Sequence, residues 1–454
     1  MSSEAGSEVG SAVGSGAGAP SEDHPPGDAG MQPQAQPETP PEPAPLLRLR
    51  DGLPAVVDTP DALHDAVRRL ADGSGPVALD AERASGYRYS ARAYLIQLRR
   101  QGSGTFLIDP IAFVDLAEVN EAIGDAEWIL HAATQDLACL REVGLRPTTL
   151  FDTEHAARLL GYPRVGLATL VETILGQSMR KEHSAVDWSR RPLPEAWLEY
   201  AALDVEVLRE LRDVLAAELE AAGKARWAAE EFQYLVGFTP AVRQEPWRRT
   251  SGIHKVKNRR ALAAVRELWS ERDGIAAERD VTPGRLVPDA ALIAAARAMP
   301  TDRGALLGTD GFHGRGARRY ADRWVAAIAR ARDLPEGELP PVNQRPDGPP
   351  QARSWADRDP VAAARLAKAR AALAAMSETE QVPVENLLTP DYMRRVLWAP
   401  PEGTGAQLVE RVGDRLTELG ARPWQVELTA PILVDAIEHP DVPAAEAERT
   451  DPED

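Results

Sequence analysis

Cysteine is almost missing from this chain: among 454 residues Cys139 stands alone. A single thiol cannot close an intramolecular disulfide, which excludes the cross-linked secreted scaffolds and makes a reducing, cytoplasmic setting the expectation. Long apolar runs are missing too. No uncharged apolar stretch reaches the roughly 18 residues that a bilayer-crossing helix needs, and the first residues lack the basic start and apolar stretch of an export signal. Neither secretion nor a membrane partner is expected. Positive charge is in deficit, with 52 Lys and Arg against 70 Asp and Glu and a formal net charge of -18.

An acidic balance argues against a polyanionic partner only if it is spread over the folded part. Here the two ends hold most of it. Residues 1–46 carry seven acidic and no basic side chains, and residues 439–454 carry six acidic side chains against Arg449, together -12 of the -18. Between residues 248 and 332 the balance reverses to eighteen Lys and Arg against nine Asp and Glu. Local charge there suits nucleic acid.

The length leaves room for about three domains. Residues 1–46 consist of Gly, Ser, Ala, Pro and Glu with few large apolar side chains; they cannot bury enough surface to offset ordering and read as a disordered acidic tail. Residues 439–454 read the same way. From 47 to 240, short β-rich runs (PVALD, TFLID, EWILHA) alternate with helical patterns (DALHDAVRRL, DLACLREVG), the pattern of an α/β domain built around a mixed sheet flanked by helices. In residues 248–332 the apolar positions fall at helical spacing, as in Leu262, Val265, Leu268 and Trp269, which predicts an all-α unit. Residues 333–354, DLPEGELPPVNQRPDGPPQARS, are rich in Pro, Gly and charge and read as a linker too polar to pack. Residues 355–438 are again helical, with Leu408, Val412, Leu416 and Leu419 on one stripe that ends at Gly420.

Chemistry concentrates in three separated segments. In VALDAERASGYRYS, alternation along a strand projects Asp80 and Glu82 to one face while Ala81 points the other way. Such a pair is common on solvated edges and decides nothing alone. In EWILHAATQDLACL a strand ends near His131, Thr134 is the expected helix N-cap, and Asp136 falls in the first turn on the face of Cys139, Leu140 and Val143. A helix-terminal acid favoured by the dipole is the plain alternative. The third, LPEAWLEYAALDVEVLRELRDVL, sets Tyr200 and Asp204 inside an apolar stripe of Trp197, Ala201, Leu208, Leu211 and Leu215. A carboxylate on an apolar face needs a salt bridge or a metal, because stripping water from a lone anion costs several kcal/mol.

Four acids meeting in one pocket would repel, and divalent cations are the usual way to hold them ionised together. All-oxygen ligation suits Mg²⁺ or Mn²⁺. Two such ions roughly 4 Å apart can activate a water and stabilise a leaving 3'-oxygen in attack on a phosphodiester, with Tyr200, one turn before Asp204, placed to orient that water.

Asp80, Glu82, Asp136 and Asp204 with Tyr200 resemble the three exonuclease motifs of the DEDD superfamily. The histidine-bearing branch has His five positions before the last Asp; here Glu199 stands there, whereas Tyr200 fits the Tyr-x-x-x-Asp of the tyrosine-bearing branch. The flanking YLIQLR, FDTEHAARLLG and SAVDWSRRPLPEAWLEYAALDVEVL look like the ribonuclease D family over residues 53–238. Ala81 departs from the Thr often found between the first two acids, but it points away from the metals. GTDGFHGRGARRYADRWVAAI and the basic stretch around it resemble the helicase-and-RNase-D C-terminal (HRDC) domain. Residues 355–438 are expected to be a second, diverged copy by helicity and size.

The resemblance implies a ribonuclease H-like α/β exonuclease domain followed by two all-α HRDC-like domains. It implies a 3'-5' exoribonuclease using two divalent ions (Mg²⁺ or Mn²⁺) and releasing nucleoside 5'-monophosphates from RNA with a free 3' end, tRNA precursors first. Asp80, Glu82, Asp136 and Asp204 would be metal ligands and, with Tyr200, the catalytic set. Lys181, Arg315, Arg318 and Arg319 are the candidate nucleic-acid contacts, Arg315 leading from a Gly-rich turn into a helix that also bears Arg323. Arg190 and Arg191 are further candidates, and Tyr87, Tyr89 and Tyr94 either stack on a terminal base or pack. His131, His155 and His183 match no standard metal spacing and are expected to be structural or to touch substrate. A 3'-5' DNA exonuclease would use the same motifs, and a catalytically silent RNA-binding protein would keep the fold; the intact set of acids argues against the latter.

Overall fold

The computed structural model describes residues 44–180, 183, 185–343 and 348–441. The two expected tails, apart from residues 44–46 and 439–441, lie outside the described residues, as does Lys181.

The α/β domain begins with β1 (Val56–Val57), α1 (Pro60–Asp72), β2 (Ser74–Arg83), β3 (Ala93–Gln101), β4 (Gly104–Ile108), α2 (Ala117–Ile123) and β5 (Trp128–Leu130). It continues with α3 (Leu137–Glu142), β6 (Leu150–Asp152), α4 (Thr153–Leu159), α5 (Leu167–Leu175), α6 (Glu195–Glu206), α7 (Leu208–Ala221) and α8 (Ala225–Val236). The six strands lie in the order β1-β4-β3-β2-β5-β6. β2 is antiparallel to β3 and parallel to β5, so the sheet is mixed as expected. α1 shows how locally these elements are encoded: the Thr59 hydroxyl accepts from the Ala62 amide, Pro60 opens the first turn, and Leu63, Ala66 and Leu70 are its buried stripe.

Strand alternation divides the sheet into two faces. Val77, Leu79, Ala81, Ile96, Leu98, Phe106 and Ile108 point into the main core. Ala78, Asp80 and Glu82 point to the other face, where Ala78 packs on Val205 and Leu208, and Ala201 and Ala202 of α6 pack on Leu95 and Leu107. The acids on β2 and the acid on α6 therefore share one layer.

Behind this domain lie α9 (Arg259–Arg279), α10 (Pro283–Leu286), α11 (Asp289–Ala298), α12 (Arg303–Leu307), α13 (Arg315–Arg319) and α14 (Ala321–Asp333). They enclose a core of Leu262, Val265, Leu268, Phe312, Trp324 and Ile328. α15 (Trp355–Arg358), α16 (Pro360–Glu380), α17 (Val384–Leu387), α18 (Pro390–Trp398), α19 (Gly405–Leu419) and α20 (Pro423–Glu438) follow. Leu408, Val412 and Leu416 are buried on α19, and Gly420 ends it in the left-handed region at φ 103°.

Two expected boundaries are corrected. Residues 44–46 belong to the fold: Ser178 donates its amide to the Pro45 carbonyl at 2.9 Å and Leu47 donates back to Ser178 at 2.8 Å, so a backbone bridge and the buried Leu47 outweigh the polar composition around them. The first half of the expected linker also packs. Leu339 is buried in the second core, and Arg259 and Arg260 donate to the carbonyls of Leu339, Leu334 and Glu336. Long arginines from a neighbouring helix satisfy a backbone that its own Pro and Gly leave without helix or sheet partners.

Candidate active site

β2 presents Asp80 and Glu82 from one face near its end, and α6 lowers Asp204 onto them. Carboxylate oxygens of Asp80, Glu82 and Asp204 all lie within 4.8 Å of one another. Glu82 and Asp204 are buried, each only 8% exposed, and Tyr200 stands one turn earlier on the same helix, close enough to feel the charge of Asp204, Glu82 and Asp80.

Asp136 reaches the same region by a different local structure from the expected one. Thr134 caps nothing: Ala132 turns left-handed at φ 58°, residues Ala133–Gln135 form a 3-10 turn, and Asp136 itself is the N-terminal residue flanking α3. The turn is held from outside. Asp152, at the end of β6, accepts the amides of Ala132 and Ala133 at 3.1 and 2.8 Å while also capping α4 through Glu154 and His155. Asp136 is buried as expected, with Cys139 donating its thiol to the Asp136 carbonyl, but its carboxylate stands outside the trio, 3.4 Å from the Arg83 guanidinium.

Electrostatics make the group unstable as bare anions. Burial, then the neighbouring Asp80, Asp204 and Asp136, push Glu82 up to about 10, and burial pushes Asp80 up to about 6. Asp136 and Asp204 are likewise held well above the usual carboxylate range by burial and by Asp80. Tyr200 is raised by burial and by the same acids, so its phenol stays protonated and acts as a donor. Among the described residues, no His or Cys ligand atom joins the trio. Buried, mutually repelling oxygen donors fit a hard divalent cation.

A cavity of about 350 Å³ opens beside Asp204 and Tyr200, walled by Gly166–Thr169 at the start of α5 and by Met179 and Arg180. Tyr200 also borders a second space of about 390 Å³, whose far wall is the segment from Leu46 to Leu49.

Other anticipated residues are employed elsewhere. Arg191 is held by Asp109 at 2.6 and 2.7 Å and by the carbonyls of Trp188 and Tyr94. Arg190 lies over the Trp197 ring. The three tyrosines serve contact with α9 and α10: Tyr89 donates to Asp273 and Tyr94 to Asp280, which also accepts the Ser90 amide, while Arg285 covers the Tyr87 ring. His131 bonds Thr153 and His155 pairs with Glu231; the His183 ring lies 6.1 Å from Tyr200. Arg315, Arg318 and Arg319 are exposed on α13, whereas Arg323 is bound to Glu271 and Glu278. Arg83 and Asp152 were not anticipated. Arg83 had a signal, a cation directly after two acids in VALDAERASGYRYS; Asp152 acts on a turn twenty residues away and had none.

A family model described as 3'-5' exonuclease matches residues 54–220 and the HRDC domain model matches residues 261–328. A model of a 3' to 5' exonuclease C-terminal domain matches residues 348–437, overlapping the unit 355–438 that was expected to be a diverged HRDC copy. Ribonuclease D of Granulibacter bethesdensis is 35% identical over 301 residues, which cover 64% of this chain and 73% of that protein. Escherichia coli ribonuclease D is 32% identical over 294 residues, 63% of this chain and 76% of the relative. A solved protein from Bifidobacterium adolescentis superposes with a TM-score of 0.79 at 39% identity, covering 87% of this chain and all (100%) of that one. The crystal structure of E. coli RNase D, described as an exoribonuclease involved in structured RNA processing, gives 0.62 at 27% identity over 85% of this chain and 99% of that one.

Proposed function

The chain belongs to the ribonuclease D family and is a metal-dependent 3'-5' exoribonuclease, and from this premise we propose that Asp80, Glu82, Asp136, Tyr200 and Asp204 are the groups that carry out the hydrolysis. The substrate is RNA with a free 3' end, tRNA precursors foremost, and the product is the nucleoside 5'-monophosphate.

The observation that carries this reading is the meeting of Asp80, Glu82 and Asp204 within 4.8 Å, with Tyr200 one helical turn before the last. Those three would hold two divalent ions, Mg²⁺ or Mn²⁺, and Asp136 would complete the ligand set. When bound, such ions supply Lewis acidity to an attacking water and neutralise charge at a leaving 3'-oxygen. Tyr200, one turn before Asp204 on α6, would orient that water by hydrogen bonding. The cavity beside Tyr200 and Asp204 is the berth for the terminal nucleotide. Nucleic acid is held further by the HRDC domain, with Arg315, Arg318 and Arg319 as phosphate contacts.

Purified protein with Mg²⁺ or Mn²⁺ is expected to shorten 3'-extended tRNA one nucleotide at a time. Asp204→Ala should lose about 10³-fold in rate, corresponding to several kcal/mol of lost charge stabilisation. Internal cuts, or an Asp204→Ala variant with full activity, would count decisively against the assignment. Equal mixtures of RNA and DNA in one reaction test the choice of RNA over DNA.

A further inference from the structure

One side chain next to the carboxylates has polar atoms that the fold does not satisfy. Gln97, in the middle of β3, is fully buried, and neither its Nε2 nor its Oε1 has a hydrogen-bond partner among the described residues. An amide carries two donor hydrogens and an acceptor oxygen, and leaving them unmet in the interior is costly. A buried glutamine with no protein partner therefore calls for a function.

Its surroundings narrow what that function is. In the register of the sheet, Gln97 lies directly across from Asp80 on β2 and from Leu107 on β4. Leu79, Ala81, Ile96 and Leu98 occupy the opposite face, so Gln97 and Asp80 project to the same side. Directly opposed side chains on antiparallel strands have Cβ atoms about 4.5 to 5.5 Å apart, within the reach of a glutamine amide toward a carboxylate. On the same face Leu95 and Leu107 are apolar, and Arg99, two residues along β3, is taken up by Asp51, Thr105 and Glu206.

We propose that Gln97 is a positioning residue for Asp80: its Nε2, without a partner in this structure, donates to one Asp80 oxygen when a cation takes the other. The inference rests on the reading that Asp80 is a cation ligand. Groups that orient a metal ligand from behind are worth about 10- to 100-fold in metal affinity.

Gln97→Met retains nearly all the volume and removes the amide; Gln97→Leu is the second variant. Mn²⁺ is the probe, followed by titration calorimetry and by the melting temperature with chelator and with Mn²⁺. Both variants should bind Mn²⁺ about 10- to 100-fold more weakly, and the rise in melting temperature with Mn²⁺ should shrink. With chelator, melting should stay the same or rise, because a buried unsatisfied amide has been removed. A packing role predicts the opposite, a fall in the chelated melting temperature with unchanged Mn²⁺ affinity, and that result overturns the proposal, as does loss of the fold in both variants. In an Asp80→Asn background, Gln97→Met should cause no further loss of Mn²⁺ affinity; a further full loss also overturns it. Absence of Mn²⁺ binding by the unaltered chain would overturn the cation reading as well, and is distinguishable because it shows before any substitution.

Discussion

Glu82 sits among three other acids in a space largely closed to water, and this makes the site a source of instability until a cation arrives. Burial and the neighbouring Asp80, Asp204 and Asp136 hold Glu82 at about 10, and burial holds Asp80 at about 6, against roughly 4 for such acids in an unfolded chain. Between those limits the folded chain binds more protons than the unfolded one, so stability falls as pH rises. Below about pH 4 both states are protonated and nothing is lost; the loss then accumulates as pH climbs through the folded values. With chelator present, the melting temperature is therefore expected to decline from about pH 5 to about pH 9, and Glu82→Gln should flatten the decline. Mn²⁺ should reverse it, with a gain that grows with pH because ligands must shed their protons to bind. Calorimetric melts at stepped pH, with and without Mn²⁺, check both slopes. A chelated melting temperature that rises across this range would remove the electrostatic account of the site.

Elements whose instructions lie within their own stretch of chain were the ones open to reading. The DAE face of β2 follows from strand alternation, and α6 carries Tyr200 and Asp204 one helical turn apart on one side. What stayed hidden was supplied from a distance. The left-handed Ala132 has no glycine to announce it and is held by Asp152; Leu339 is buried through arginines from α9; Leu47 is fixed by Ser178. α13 shows both kinds of control. Its arginines were visible, but their placement depends on Gly316, where a Cβ would come 2.5 Å from the Leu286 carbonyl oxygen, so only glycine lets α13 lie against α10. With Arg323 tied to α9, Arg315, Arg318 and Arg319 are the cations on α13 proposed to meet phosphate. Replacing all three with Ala should weaken single-stranded RNA binding and reduce the dependence of log affinity on log salt by about 0.7 for each phosphate no longer neutralised. Fluorescence anisotropy in chelator, which prevents cleavage, measures this over a salt series. An unchanged slope would mean that α13 does not touch the RNA backbone.

The helical units are built into the α/β domain rather than hung from it. α9 and the turn after it receive hydrogen bonds from Tyr89, Ser90 and Tyr94, in the loop and strand that follow Asp80 and Glu82. The C-terminal unit goes further, because Val382, Leu387 and Trp424 are members of the main α/β core. Trp424 is fully buried, stacks on Trp227 of α8 with ring centroids 4.9 Å apart, and donates its indole N–H to Glu231 at 2.9 Å. Glu231 is kept below its ordinary range despite burial by His155 and Arg422, the latter at 2.8 Å. Gly161 completes the contact: a Cβ there would lie 2.5 Å from the Gln381 carbonyl oxygen. An aromatic core side chain with its polar atom paired is costly to delete, about 3 to 5 kcal/mol for a large-to-small change. Trp424→Ala is thus expected to lower the denaturant midpoint of the whole chain and to loosen the C-terminal unit from the α/β domain. Urea unfolding followed by tryptophan fluorescence measures the midpoint, and hydrogen exchange should rise first in α8 and α20, the helices that Trp424 joins. If the variant keeps the original midpoint and exchange pattern, the shared core is not what joins the two parts.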